Sequence, residues 1–263
     1  MSKPVTSQDF TAAKAAKPLT GKVALVTGGS RGIGAAIAKE LADQGADVAI
    51  SYAASADKAE AVAKELQGKG VRAGAYKADQ ANAEAVEALV HRVAKEFGRL
   101  DILVNNAGVF AGGAINDPTA DRAALEREFA VNVGGVVAAV RAAIPFLGEG
   151  GRIITIGSIA GDETPWAGAA DYSATKAAVA AYTRGWARDL GPKGITVNNV
   201  QLGPIDTDMA PKDGPLEELL RTGTALGRYG KPEEVAAAVA FLASPAAGYI
   251  TGTSLNVDGG FSA

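Results

Sequence analysis

The stretch T-G-G-S-R-G-I-G, residues 27–34, lies between an apolar run, K-V-A-L-V-T (22–27), and an amphipathic run, G-I-G-A-A-I-A-K-E-L-A-D-Q-G (32–45). Consecutive apolar residues are typical of a buried strand, and apolar residues spaced by three and four are typical of a helix. A glycine-rich turn between the two lets a phosphate approach the backbone and the free N–H groups at the helix N-terminus. The stretch therefore predicts a nucleotide-binding α/β fold.

The same alternation of strand and helix continues to the end of the chain. The further predicted strands are D-V-A-I-S-Y (47–52), V-R-A-G-A-Y-K-A-D (71–79), D-I-L-V-N-N-A-G (101–108), G-R-I-I-T-I-G-S (151–158), G-I-T-V-N-N-V-Q (194–201) and G-T-S-L-N-V-D-G-G (252–260). The further predicted helices span 56–70, 82–98, about 120–147, about 171–190 and 231–244, and a loop-rich insert lies near 203–230. Strands that are apolar on both faces and separated by helices predict a single doubly wound, parallel sheet of the Rossmann type.

Composition limits the organisation and the partners of the chain. With 263 residues, 48% of them hydrophobic, the chain is long enough for one large α/β domain, which we place at 19–263 after a flexible arm at 1–18. The net charge is −3 without a block of like charge, so neither a nucleic-acid polymer nor a membrane is an expected partner. The chain has no cysteine, and we expect no disulfide and no metal site. It shows no signal peptide or membrane-spanning run, and we expect a cytoplasmic location.

The tip of the second strand favours NADPH over NADH. Enzymes that prefer NAD usually carry an acidic residue there, which binds the ribose hydroxyls. This chain has A-I-S-Y-A-A-S (49–55), and Asp47 lies at the opposite end of the strand. Ser51, Tyr52 and Ser55 can donate hydrogen bonds to a 2′-phosphate, and Arg31 can add a charge-assisted contact.

Four motifs in one order carry a family resemblance. T-G-x-x-x-G-I-G (27–34), N-N-A-G (105–108), Ser158 after an apolar strand and Y-x-x-x-K (172–176) resemble the short-chain dehydrogenase/reductase family over about residues 20–263. G-R-Y-G-K-P-E-E-V-A and the terminal T-G-T-S-L-N-V-D-G-G are similar to the 3-oxoacyl carrier-protein reductases of that family. The resemblance implies an NADP(H)-dependent oxidoreductase that reduces a ketone or aldehyde by hydride transfer, with NADPH/NADP+ as cofactor, and a homotetramer.

The resemblance also implies roles for four side chains. Tyr172 is the expected general acid, and Lys176, one helical turn away, lowers its pKa together with the oxidised nicotinamide. Ser158 hydrogen-bonds the substrate oxygen, and Asn132 holds a water that connects Lys176 to solvent. We expect Asn105 to brace the sheet rather than touch a ligand.

Two larger sets complete the predicted site. The predicted cofactor-binding residues are Gly28, Ser30, Arg31, Gly32, Ile33, Gly34, Ser51, Tyr52, Ser55, Asp79, Asn106, Ala107, Gly108, Tyr172, Lys176, Ile205 and Thr207. The predicted substrate residues are Ser158, Trp166, Tyr172 and Met209, in or beside the loops 159–168 and 208–226, with Leu216 as a further apolar wall. Where the family often has P-G, this chain has Leu202–Gly203. The identity of the carbonyl substrate stays open.

Two other functions compete with carbonyl reduction. A serine hydrolase built on Ser158 needs a histidine base, and the single histidine, His91, lies in a predicted helix with the character of a surface residue. We therefore reject that function. The alternative that stays open is a cyclic-di-GMP-binding protein in biofilm regulation, because G-R-I-I-T-I-G-S-I-A-G-D and G-P-I-D-T-D are similar to the biofilm-dispersal branch of the family. Intact Asn132, Ser158, Tyr172 and Lys176 favour a catalyst, since sequestration of a nucleotide requires none of them.

Overall fold

Seven short apolar runs form one parallel sheet in the computed structural model, which describes residues 17–210 and 213–263. The strands are β1 (Val23–Val26), β2 (Asp47–Tyr52), β3 (Ala73–Lys77), β4 (Ile102–Asn105), β5 (Arg152–Ile156), β6 (Thr196–Leu202) and β7 (Ser254–Val257). The helices are α1 (Gly32–Asp43), α2 (Ala56–Gly68), α3 (Ala83–Phe97), α4 (Arg122–Phe129), α5 (Gly135–Ala143), α6 (Ala170–Leu190), α7 (Gly214–Thr222) and α8 (Pro232–Ala243).

The strand order is β3-β2-β1-β4-β5-β6-β7, and every neighbouring pair is parallel. The chain runs outward in one direction from β1 to β3 and then returns to start again at β4, next to β1. Loops after β1 and β4 therefore diverge to opposite sides and leave a crevice at the carboxyl ends of these strands. This crevice is where a doubly wound sheet binds its ligand.

Alternate residues of the central strands fill two separate cores. In β1 and β4, Val26 and Val104 face the core beneath α1, α2 and α8, while Leu25 and Leu103 face the core beneath α3, α5 and α6. All four side chains are fully buried. A sheet covered on both faces needs strands that are apolar at every position, which is why β1 and β4 contain no alternating polar residues.

The predicted strands, the predicted helices outside 120–147 and the doubly wound parallel fold are confirmed, but two segments differ from the sequence-based expectation. The single helix expected at 120–147 is divided into α4 and α5 by a π-helical turn at Ala130–Gly134. The insert at 203–230 is not only loop, because α7 begins there at a G-P pair, where proline supplies a helical φ at the first turn. Both features depend on local backbone conformation, which the spacing of apolar residues does not predict.

The described chain begins just before the first residue of the core. Of the arm expected at 1–18, residues 1–16 lie outside the described residues, whereas Leu19 is already part of the core. Within the described chain, none of the helices combines the length and the apolar character required to cross a bilayer. The extent of the domain, 19–263, stays a prediction.

Candidate active site

Backbone conformation and close packing require glycine at several positions of the turn after β1. Gly28 and Gly32 have φ angles of +66° and +54°, which favour glycine. At Gly34, a Cβ atom would collide with the Gly28 carbonyl and with Nδ2 of Asn106. The turn can therefore present backbone rather than side chains to a ligand, as a pyrophosphate site requires.

A network from β4 holds this turn in place. The Asn106 side chain donates to the carbonyls of Thr27 and Gly28, at 2.8 and 3.1 Å. The Thr27 hydroxyl accepts from the backbone N–H groups of Asn106 and Ala107, at 3.0 and 3.1 Å. These bonds join the first strand to the N-N-A-G motif, so both motifs shape the same crevice before any ligand binds.

A first cavity of about 280 Å³ opens in front of the turn. Of the predicted cofactor set, the residues that line it are Gly28, Ser30, Arg31, Gly32, Ile33, Gly34, Ser51, Tyr52, Asp79, Asn106, Ala107, Gly108 and Thr207. Ser55 is not among the lining residues and lies instead at the N-cap of α2. The structure thus brings together most of the predicted set, with Ser55 set back from it.

Two ion pairs border the first cavity. Arg31 Nη1 lies 2.7 Å from Asp208 Oδ2, and both side chains are largely exposed. Asp79 binds Arg127 at 2.9 Å, and this hydrogen bond holds the pKa of the Asp79 carboxyl below its usual value. Both acidic side chains at this cavity therefore carry an arginine partner. The Arg31 pair joins the glycine turn to the loop after β6, a contact that sequence spacing did not predict.

Ser51, one of the three serines in the predicted cofactor set, has a second role. Ser51 is 2% exposed, and its hydroxyl oxygen accepts from the backbone N–H of Gly28 at 3.2 Å. Accepting this bond leaves the hydroxyl hydrogen available as a donor. Ser51 therefore supports the glycine turn from below while it lines the cavity.

Tyr172 and Lys176 meet Ser158 at the carboxyl end of β5. The Lys176 ammonium lies 5.6 Å from the centre of the Tyr172 ring, and its Nζ donates to the Ile156 carbonyl at 2.9 Å. The spacing of four in α6 places both side chains on one helix face, as predicted. Ser158 forms a hydrogen bond with Tyr172, and its oxygen also accepts from the Ala160 N–H at 3.1 Å.

Burial dominates the acid–base properties of this pair. It raises the pKa of Tyr172 to about 12, against the opposing effect of the Ser158 hydrogen bond. It lowers the pKa of Lys176 to about 8, because the buried ammonium loses hydration. Burial and the Glu128 charge thus raise the pKa of Tyr172 in this structure, and the lowering expected from Lys176 together with the oxidised nicotinamide stays a prediction.

Asn132 lies within the π turn and clamps the loop after β4. Its Oδ1 accepts from the Val109 N–H and its Nδ2 donates to the Val109 carbonyl, both at 2.9 Å. Nδ2 also donates to the Thr175 hydroxyl at 3.2 Å, which connects this loop to α6. π turns occur often at functional sites, where they redirect a side chain out of a regular helix. The amide thus has partners of its own, and its role with a water stays a prediction.

A second, largely apolar cavity of about 450 Å³ lies beyond the Tyr172 phenol. Ser158, Trp166, Tyr172, Lys176, Ile205, Thr207, Met209 and Leu216 line it, so all four predicted substrate residues meet there. Asn106, Gly108, Thr207 and Met209 line both cavities. The two cavities therefore form one continuous cleft, from the glycine turn to the phenol.

Sequence reasoning missed several walls of this cleft. Phe110 makes edge-to-face contacts with Tyr172 and Trp166, with ring centres 5.3 and 6.3 Å apart. Tyr229 and Phe261 also line the second cavity. The position of Phe110, two residues after N-N-A-G, was a usable signal, whereas Phe261 reaches the site only through the fold.

Packing at the end of β6 explains the departure from the family pattern at Leu202–Gly203. At Gly203, a Cβ would lie 2.6 Å from the Cα of Asp258, and the Gly203 N–H donates to the Val257 carbonyl at 3.1 Å. The glycine of the motif is therefore required by close approach of the carboxyl-terminal segment. Leu202 fills the core at the position where the family often has proline.

Comparison with known proteins agrees with this arrangement. Residues 28–262 match the family described as enoyl-(acyl carrier protein) reductase. The chain belongs to the short-chain dehydrogenase/reductase family. A solved short-chain dehydrogenase of Burkholderia cenocepacia J2315 in complex with NADP superimposes with a TM-score of 0.90 at 52% identity, covering 94% of this chain and 100% of that one.

Two curated relatives of this short-chain dehydrogenase/reductase differ in function. The cyclic-di-GMP-binding biofilm dispersal mediator protein of Escherichia coli K12 is 45% identical, over 93% of this chain and 98% of the relative. A 3-oxoacyl-(acyl-carrier-protein) reductase of Staphylococcus aureus N315 is 42% identical, over 91% of this chain and 97% of the relative. The family is thus settled, and its members include both functions considered from the sequence.

Proposed function

We propose that the protein is an NADPH-dependent carbonyl reductase. The observation that carries the proposal is the continuous cleft, which joins a backbone-lined phosphate turn to a buried tyrosine–lysine pair. The glycine turn and the helix N-terminus fit a pyrophosphate, and the shared cavity walls fit a ligand long enough to reach from one end to the other. The similarity to a dehydrogenase that binds NADP supports the same cofactor here.

The charges at the first cavity support NADPH over NADH. The tip of β2 has no carboxylate, and Ser51, Tyr52 and Arg31 border the space next to it. The Arg31–Asp208 pair is exposed, so its loss costs only about 0.2–1 kcal/mol. Arg31 can therefore turn to a 2′-phosphate at small cost and form a stronger, charge-assisted contact.

The chain's own residues would handle the proton and the developing charge. When bound, NADPH supplies a hydride to the carbonyl carbon of the substrate. Tyr172, protonated at neutral pH because its pKa is about 12, donates its phenolic proton to the carbonyl oxygen. Ser158 donates a hydrogen bond to the same oxygen and stabilises its negative charge. The product is the alcohol. Tyr172 then takes up a proton from solvent on the side of the site where Lys176 lies.

The first experiment measures consumption of NADPH and of NADH by the purified protein with ketones, aldehydes and 3-oxoacyl thioesters. Tyr172→Phe should lower turnover by about 10²- to 10⁴-fold, because it removes the acid. Tyr182→Phe is the matched control, since Tyr182 lies on the same helix and stacks on Trp186 at 4.8 Å, outside the cleft. Equal loss in both variants would contradict the assignment, and a preference for NADH would contradict the role of Arg31.

The second candidate, binding of cyclic di-GMP, rests on the similarity to the E. coli dispersal protein. Calorimetric titration with cyclic di-GMP, with and without saturating NADPH, separates the two functions. Competition would place both nucleotides in the first cavity. Binding that leaves NADPH affinity unchanged would instead require a separate site.

We also propose a homotetramer in the cytoplasm. Exposed apolar side chains support association through two surfaces, since Phe129 and Tyr182 lie on α4 and α6, and Phe241 and Tyr249 lie on and after α8. Exposed aromatic residues are common in subunit interfaces. Light scattering of the purified protein tests the tetramer, and fractionation of expressing cells tests the location.

A further inference from the structure

Glu128 is a buried carboxyl group next to the catalytic residues, and the proposed reaction gives it no part. It is the penultimate residue of α4, just before the π turn that carries Asn132, and it is fully buried. Its Oε1 accepts from the backbone N–H of Ala111 at 2.7 Å. Among the residues that the structure describes, Oε2 has no hydrogen-bond partner. Buried carboxylates with an unpaired oxygen are costly, so their presence in a site requires an explanation.

Through Ala111, Glu128 is connected to the loop that contacts both Tyr172 and Asn132. Ala111 follows Phe110, whose ring touches Tyr172, and Val109, which is clamped by Asn132. The bond to Ala111 therefore fastens the loop after β4 at a second point, from a residue four positions before Asn132 in the chain. Release of this bond would loosen the wall formed by Phe110.

The charge of Glu128 acts on the catalytic pair. It raises the pKa of Lys176, against the lowering by burial, and it raises the pKa of Tyr172. Burial raises the pKa of the Glu128 carboxyl and Asp171 adds to this rise, whereas the hydrogen bond from Ala111 and the charge of Lys176 oppose it and favour the carboxylate. Its neighbour Arg127 is bound to Asp79 at the first cavity.

We propose that Glu128 is a positioning residue of this active site, whose buried carboxylate keeps Lys176 charged and fastens the loop that carries Phe110. The proposal rests on the proposed carbonyl reduction. A buried lysine with a pKa of about 8 is close to losing its proton at physiological pH. A nearby negative charge keeps the ammonium form, which the proposed reaction needs beside Tyr172.

Two substitutions separate the effect of the Glu128 charge from the effect of its hydrogen bond to Ala111. Glu128→Gln removes the charge but keeps an oxygen that can accept from Ala111. Glu128→Leu removes both. Glu126→Gln is the matched control, because Glu126 is exposed on the same helix and loses the same formal charge.

The first readout does not depend on turnover. NMR titration of protein labelled at the lysine Cε, with the Lys176 signal assigned from Lys176→Met, should show a lower Lys176 pKa in Glu128→Gln. We expect a shift of about half a unit or more, a threefold change in proton affinity, and no shift in Glu126→Gln. An unchanged Lys176 titration in Glu128→Gln would overturn the charge role, even if no substrate is found.

The second readout is kinetic. Reduction needs protonated Tyr172 and charged Lys176, and both pKa values should fall when Glu128 loses its charge. The alkaline limb of the kcat profile should therefore move to lower pH in Glu128→Gln, with KM nearly unchanged. Glu128→Leu should show the same move and a raised KM, since the Phe110 loop is released; an unchanged KM would overturn the anchor role. Failure of the wild-type protein to oxidise NADPH would contradict the proposed function instead.

Discussion

The two ends of the cleft are built on different principles. At the cofactor end, backbone and short side chains are hydrogen-bonded to one another, as in the Thr27–Asn106 network, and a Cβ at Gly28 or Gly34 would collide with neighbouring atoms. At the substrate end, the walls are large side chains on loops, and Met209 is 60% exposed. The cofactor end therefore fits one ligand shape. At the substrate end, substitution of a single side chain can change which substrate fits.

The junction of the two ends should be the most sensitive position. Lys176→Met keeps the length of the side chain and removes the charge beside Tyr172, so kcat/KM for carbonyl reduction should fall by about 10²- to 10⁴-fold. Steady-state kinetics with NADPH measure this loss. Lys193→Met, at an exposed position after α6, should be neutral. Near wild-type activity of Lys176→Met would mean that the catalytic centre does not lie at this junction.

The cofactor end should not tolerate even one added carbon. Gly34→Ala places a Cβ against the Gly28 carbonyl and the Asn106 amide, so we expect at least a tenfold weaker NADPH Kd and a loss of about 1–3 kcal/mol in stability. Calorimetry and thermal unfolding measure both. Gly68→Ala is the control, because a Cβ there meets nothing within 4 Å. If Gly34→Ala binds NADPH normally, the turn is more adaptable than its packing indicates.

The substrate end should change selectivity while cofactor binding stays intact. Phe110→Ala removes two edge-to-face contacts, each worth about 0.5–1.5 kcal/mol, so kcat/KM for aryl ketones should fall by about tenfold. A small methyl ketone, which cannot reach the Trp166 wall, should be affected less, and the Kd of NADPH should be unchanged. Equal losses for both substrates would indicate a disturbed Tyr172 rather than a lost wall.

The smallest effect concerns the contact between the two ends. Asp208→Asn removes the carboxylate that binds Arg31, so Arg31 should reach the 2′-phosphate more readily and the Kd of NADPH should improve by up to about fivefold. Binding of NADH, which lacks this phosphate, serves as the control and should not change. Weaker NADPH binding in the variant would mean that the ion pair helps to shape the cofactor site.

The contrast between the two ends also explains what could be predicted. The doubly wound fold and the family were predicted correctly, because glycine turns, apolar strands and the Y-x-x-x-K spacing are local constraints. The π turn at Ala130–Gly134 and helix α7 were not, since hydrophobic periodicity tolerates both. The roles of the individual site residues stay predictions, although the structure gathers nearly all of them around one cleft.

Local sequence patterns were enough to predict the fold class, the family and the candidate residues Gly34, Ser158, Tyr172 and Lys176, because each pattern depends on residues that are close together in the chain. Other properties follow only from the folded chain: burial raises the pKa of Tyr172, Arg31 binds Asp208 across 177 positions, and the charge of Glu128 acts on Tyr172 and Lys176. Hydration and charge depend on which distant segments exclude water from a site. That information exists only once the sheet and its loops have packed.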